Sequence, residues 1–322
     1  MTRNAASFKE ALAALNAKAL PSKRQLCGLS SLEGDSLTEV QSVWSHLDSQ
    51  RRITLVEKLR EMAEDDVELD FSALFLYSLQ DVEEQVRLSS VDGLWEYENP
   101  SLIDKLVLLL SSDPSILVRA ASATALGRFL ELGELEKITR RRRDQVYSAL
   151  MGALMTMEPG SLEYLHALEA LACVSNDEIE GLIHAAYASD IPALRISAVT
   201  AMGRSANRQF SDLVRRELFS VLPAMRAEAA RASGELEVAE AVTDLGKLID
   251  DPEQEVAIAA VTALGQVGGE EARRLLEQAA QSDDEEIAGA AEEALAEDEF
   301  LHGDIKFTTT WLDELSHDET GD

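Results

Sequence analysis

The stretch DPSILVRAASATALG, residues 113–127, decides the fold. Val118, Ala121, Ala125, Leu126 and, just beyond it, Phe129 keep helical spacing, which predicts a helix from about Ser115 to Phe129. Asp113 is expected to cap that helix and Pro114 to sit in its first turn. Gly127 is read as a left-handed residue at its C-terminal end. The pattern then recurs. Val118-Arg119-Ala120 through Gly127 aligns without gaps on Val86-Arg87-Leu88 through Trp95, on Leu194-Arg195-Ile196 through Gly203, and on Val256-Ala257-Ile258 through Gly265. Trp95 and Gly127 lie 32 residues apart, and Ala172, Gly203, Gly234, Gly265 and Ala296 follow one another at intervals of 31. The one longer step, 45 residues from Gly127 to Ala172, coincides with the polar insertion Glu131–Arg143. A fixed period of this length is the signature of a repeat array.

Each repeat reads as two helices. The first helices are the greasier: Leu102, Ile103, Leu106, Val107, Leu109 and Leu110 cover nearly the whole circumference of one. A helix apolar on most sides must be covered on most sides, and stacking of successive units achieves that. The expected architecture is all-α, a right-handed α-solenoid of about nine two-helix repeats in a single elongated domain. Units fall near 5–32, 36–64, 67–97, 101–130, 139–174, 177–205, 208–234, 237–267 and 270–297. Residues 1–66 form divergent N-terminal repeats, 67–297 the regular array, and 298–322 an acidic tail.

Composition narrows the class. Of 322 residues 46% are apolar and 5% aromatic, which suits Ala- and Leu-rich helices better than strands. Sixty acids against 29 bases leave a net charge of −31, which repels nucleic acid and anionic lipid and favours a partner with a basic patch. Cys27 and Cys173 match no metal or redox spacing and read as small buried hydrophobes in a reducing compartment. No apolar run reaches the ~18 residues of a membrane span, and the N-terminus has no secretion-signal pattern, so the expected location is cytoplasmic.

The unit Asp-Pro, four residues, Val-Arg, then Ala-x-x-Ala-Leu-Gly resembles the HEAT family, including its phycobilisome-lyase-like subtype. DPSILVRAASATALG (113–127) and DPEQEVAIAAVTALG (251–265) carry it, with DVEEQVRLSSVDGLW (81–95) and DIPALRISAVTAMG (190–203) as looser copies. The resemblance implies a structural role for Asp81, Arg87, Asp113, Arg119 and Arg195, as a ladder tying neighbouring inter-helix turns together. Arg226 has no acid six residues upstream and is read as free for a partner. The resemblance also brings enzymes into view. Hydroxylases of the deoxyhypusine type carry repeated His-Glu pairs, yet none of His46, His166, His184, His302 and His317 is followed by Glu. The charge argues against the DNA glycosylases of this class. A bilin-lyase-like, chromophore-handling protein stays as the alternative.

No catalytic motif, metal set or cofactor site stands out, so the sequence reads as a non-enzymatic scaffold that binds another protein along the surface of its second helices. Arg140, Arg141, Arg142 and Arg143 form the one dense basic run, either a contact for an acidic segment or a solvated helix start. In the tail, Phe307, Trp311, Leu312 and Leu315 are spaced for a short helical anchor, docking on this chain's own repeats or on a partner. Trp44 and Trp95 are assigned to packing.

Overall fold

The computed structural model describes residues 6–302. Among these residues the regular structure is all helical and falls into nine successive helix pairs. They are α1 (Phe8–Asn16) with the short α2 (Lys23–Leu26), α3 (Gly34–Trp44) with α4 (Ser49–Asp65), and α5 (Ser72–Ser78) with α6 (Glu84–Asp92). There follow α7 (Leu102–Ser112) with α8 (Ile116–Glu134), α9 (Arg140–Thr156) with α10 (Leu162–Leu171), and α11 (Asp177–Tyr187) with α12 (Pro192–Arg204). The last three are α13 (Ser211–Glu217) with α14 (Pro223–Glu235), α15 (Val242–Leu248) with α16 (Gln254–Val267), and α17 (Glu270–Ala279) with α18 (Glu285–His302). Local chemistry starts several of them. The side chains of Ser7, Asp48, Thr139 and Asn176 accept the backbone N–H of Glu10, Arg51, Arg142 and Ile179, satisfying donors that α1, α4, α9 and α11 would otherwise leave open.

Contacts divide the chain into two compact units, Met1–Ala201 and Met202–Asp322. In the first, the second helices α4, α6, α8 and α10 form one layer, each against the next, while α1, α3 and α5, and then α7 and α9, neighbour one another in the other layer. In the second unit α14, α16 and α18 stack in sequence, with α13, α15 and α17 each against its own partner helix. This is the solenoid arrangement: a helix pair buries its apolar face on its neighbours in the chain. Leu102, Ile103, Leu106 and Leu110 of α7 are at most 2% exposed. Full burial of each such side chain contributes roughly 1.5–3 kcal/mol, which an isolated pair would forgo.

Three local expectations need correction. The periodic glycines do not end their helices in a left-handed conformation: α8, α14 and α16 run on past Gly127, Gly234 and Gly265, and none of the three has a positive φ. They serve close approach instead. A Cβ on Gly127 would lie 2.9 Å from the Ala170 Cβ of α10, and one on Gly265 would lie 3.0 Å from the Ala294 Cβ of α18. The period therefore marks where adjacent second helices come nearest. The turn aspartates, likewise, stand two residues ahead of the cap: Asp81, Asp113 and Asp251 accept the backbone N–H of Glu83, Ser115 and Glu253 at 2.9–3.0 Å. The expected boundary at residue 298 falls inside α18, which continues to His302.

Candidate protein-binding surface

The turn aspartates do more than shape their turns. Arg87, from α6, donates through Nε and Nη2 to the two oxygens of Asp113 at 2.7 and 2.8 Å, and through Nη1 to the carbonyls of Asp81 and Val82 in its own turn. One guanidinium thus ties two consecutive turns. Arg52 makes the same two-pronged pair with Asp81 at 2.8 and 3.0 Å. Both pairs are largely out of solvent. Arg119 reaches Glu163 of α10 at 2.8 Å and the Asp113 carbonyl at 2.7 Å; the next turn has Glu158 before its proline, where the turns of Pro114 and Pro252 carry an aspartate. Burial pushes the Glu163 carboxyl upward, but hydrogen bonds from Arg119 and the backbone, with the Arg119 charge, together hold the group below the usual range. Arg195 lies against the Tyr187 ring.

Arg226 corrects the sequence reading. It is not free: Nε and Nη2 bind Asp251 at 2.8 Å each, and Nη1 binds the Ser220 carbonyl at 2.9 Å. Its acid lies in the following turn rather than six residues upstream, where Ser220 stands and offers only its backbone. The bond from Arg226 holds the Asp251 carboxyl below the ordinary carboxylate range.

The basic run is also partly engaged. Arg142 pairs with Asp104 of α7 at 2.7 Å, and Arg143 with Glu134 at 2.6 Å, so these two fasten the start of α9 to the molecule. Arg140 lies 3.9 Å from Asp144 and is 92% exposed. Phe307, Trp311, Leu312 and Leu315 lie outside the described residues.

The face left open by the ladder is that of the second helices. Across α6, α8 and α10 runs an apolar groove of about 340 Å³, with Ala120, Ala121 and Ala125 along its floor and Leu88, Leu117, Leu162 and Trp95 on its walls. A second cavity of about 550 Å³ lies beside it, between α4, α5 and the end of α6, lined by Phe71, Phe75, Val67, Tyr97 and again Trp95. Trp44 is buried, but Trp95 is 57% exposed, against the assignment to packing. The reason is local: α6 stops at Asp92, so Trp95 stands in the turn beyond it, with the Arg128 guanidinium 5.3 Å from its ring centre. Arg128 is itself held by the carbonyls of Leu94 and Tyr97. The clue in the sequence was an indole at a position where other units need a glycine or alanine, since no bulky ring fits a close helix crossing. Thr124 and His166 join side chains at 2.8 Å on the groove wall.

Among the described residues no group of three or more His, Cys, Asp or Glu side chains is placed to hold a metal ion, and no helix is long and apolar enough to cross a membrane. Burial pushes the Cys173 thiol up to about 12.

Two family descriptions match the chain: HEAT repeat over residues 102–133 and HEAT repeats over residues 216–296. No curated protein matches it. Among solved structures, the CpcE–CpcF complex of phycocyanin lyase from Nostoc sp. PCC7120 is similar at 15% identity and a TM-score of 0.53, covering 92% of this chain and 96% of that one. Yeast importin-beta (Kap95p) aligns at 12% identity and a TM-score of 0.49, over 96% of this chain and 48% of its own. Human deoxyhypusine hydroxylase aligns at 16% identity and a TM-score of 0.36, over 91% and 96%. At 15% identity the likeness to the CpcE–CpcF complex is one of fold.

Proposed function

We propose that this chain, a HEAT-repeat protein by its matches over residues 102–133 and 216–296, is a non-enzymatic scaffold that holds another protein along the face of its second helices. The observation that carries the reading is the open apolar groove over α6, α8 and α10, with the exposed Trp95 at its edge. A soluble protein leaves a contiguous apolar face uncovered where something else covers it. The internal pairing of Arg87, Arg119 and Arg226 supports the same reading, since it assigns those cations to structure and leaves the second-helix face for recognition.

The net charge of −31 sets the kind of partner: a protein presenting lysines and arginines, not a nucleic acid. A cytoplasmic location belongs to the proposal, because such a scaffold meets its partner there. An affinity pull-down with the immobilised full chain at low and at high salt tests it. A protein retained at low salt and released at high salt is the expected result. Retention of nothing at low salt contradicts the scaffold reading.

A further inference from the structure

Trp95 and Asp92 line both cavities described above, so the groove over α6, α8 and α10 and the pocket beside α5 meet at one point. The chemistry there is two-sided. Small and aliphatic side chains make the floor, while Glu64, Asp70, Asp92 and Glu96 stand along the pocket. The cation lining it, Arg60, is paired at 2.6 Å with Glu64 of its own helix, which leaves the edge net negative. Asp92 is exposed, yet partial desolvation, opposed in part by Arg60, pushes its carboxyl upward, and the Glu64 charge adds to the push. An incoming ammonium or guanidinium would relieve that. Trp95 is fixed in advance by Arg128, so little side-chain freedom is lost when it is covered.

On these observations we infer that the Trp95 edge is the recognition point for an amphipathic helix of a partner protein, its apolar side laid across α6, α8 and α10 and its lysines or arginines turned to Asp92, Glu96 and Asp70. The inference rests on the scaffold reading and sharpens it. Three helices spaced ~8–10 Å apart span ~16–20 Å, the length of about 11–13 helical residues. Charge decides against the chain's own segment 303–322, which carries six acids and one lysine and would meet like charge.

The test uses three labelled synthetic helices of roughly 18 residues and the full chain, read by fluorescence anisotropy. One has leucine and phenylalanine on one face and lysine on the other. The second has the same composition shuffled so that no apolar face forms, and the third has glutamate in place of lysine. The lysine amphipath should bind at least ~10-fold more tightly than either control. Trp95→Ala, at an exposed turn position that leaves the helices intact, should weaken it ~10-fold or more, as central aromatic anchors do. The pair Asp92→Asn and Glu96→Gln should weaken it several-fold and flatten its salt dependence. Equal binding of the shuffled peptide would reduce the effect to general attraction by an acidic protein and overturn the inference. So would an unchanged affinity in Trp95→Ala, or a clear gain in affinity on deleting residues 303–322, which would make the tail the occupant. If pull-downs retain a partner while Trp95→Ala binds it normally, the scaffold reading stands and this site falls. If nothing is retained, both fall.

Discussion

Arg87 has four hydrogen bonds and no freedom left, and its worth to the molecule follows from what its removal strands. Arg87→Met leaves the Asp113 carboxylate buried without its cation and two turn carbonyls without their donor. Breaking one side of such a pair costs about 3–5 kcal/mol, to be read as a lowered urea midpoint. Replacing both partners together with apolar residues should recover part of the loss. The Arg226–Asp251 pair adds a pH signature. Arg226 depresses the Asp251 pKa, so the stability this carboxylate contributes is complete above about pH 4 and fades as the pH falls through the lower folded-state value. The stability gap between wild type and Arg226→Met should therefore be full at neutral pH and shrink in the acid range. A gap undiminished at acid pH counts against the pairing. Cys173, its thiol pushed up to about 12 by burial, should resist alkylation near neutral pH in the folded protein and react after unfolding.

Among the helices, glycine provides the discriminating comparison. Gly152 lies within α9 with open space where a Cβ would go, so Gly152→Ala should stabilise by about 0.4–1 kcal/mol through helix propensity. Gly127→Ala gains the same propensity but forces a Cβ to 2.9 Å from Ala170, and Gly127→Val worsens it; overpacking of this kind costs roughly 1–3 kcal/mol. Thermal denaturation of the variants should rank Gly152→Ala above wild type and Gly127→Val well below it. If all three glycine variants were stabilised, the close crossing of α8 and α10 would be wrong. The periodic glycines Gly203, Gly234 and Gly265 explain what could be read ahead of the structure. Their 31-residue spacing located the repeats, because a close crossing must recur once per unit. The reason for it, small residue against small residue on the next helix, involves Ala170 and Ala294, whose partners no local pattern names. Arg226 was misread on the same ground: its acid sits 25 residues away, in the following turn. Trp95 was misread because α6 ends before it does, a boundary that spacing alone leaves uncertain.

Over the whole molecule two terms compete. Stacked apolar faces hold successive pairs together, and a net charge of −31 pushes the chain apart. Added salt screens the second and leaves the first, so the melting temperature should rise with ionic strength at neutral pH. The proposed binding follows from the same geometry, since within the first unit α4, α6, α8 and α10 pack neighbour on neighbour into one layer. The architecture was legible because it is periodic; the recognition point was not, because it arises where one unit departs from the period. The most direct test of nearest-neighbour stacking is amide hydrogen exchange on a chain ending after residue 268, which lacks α17 and α18. Protection should drop in α15 and α16 and stay unchanged in α4, α6, α8 and α10. A uniform loss of protection through all the helices would contradict the account, and with it the surface on which binding is proposed.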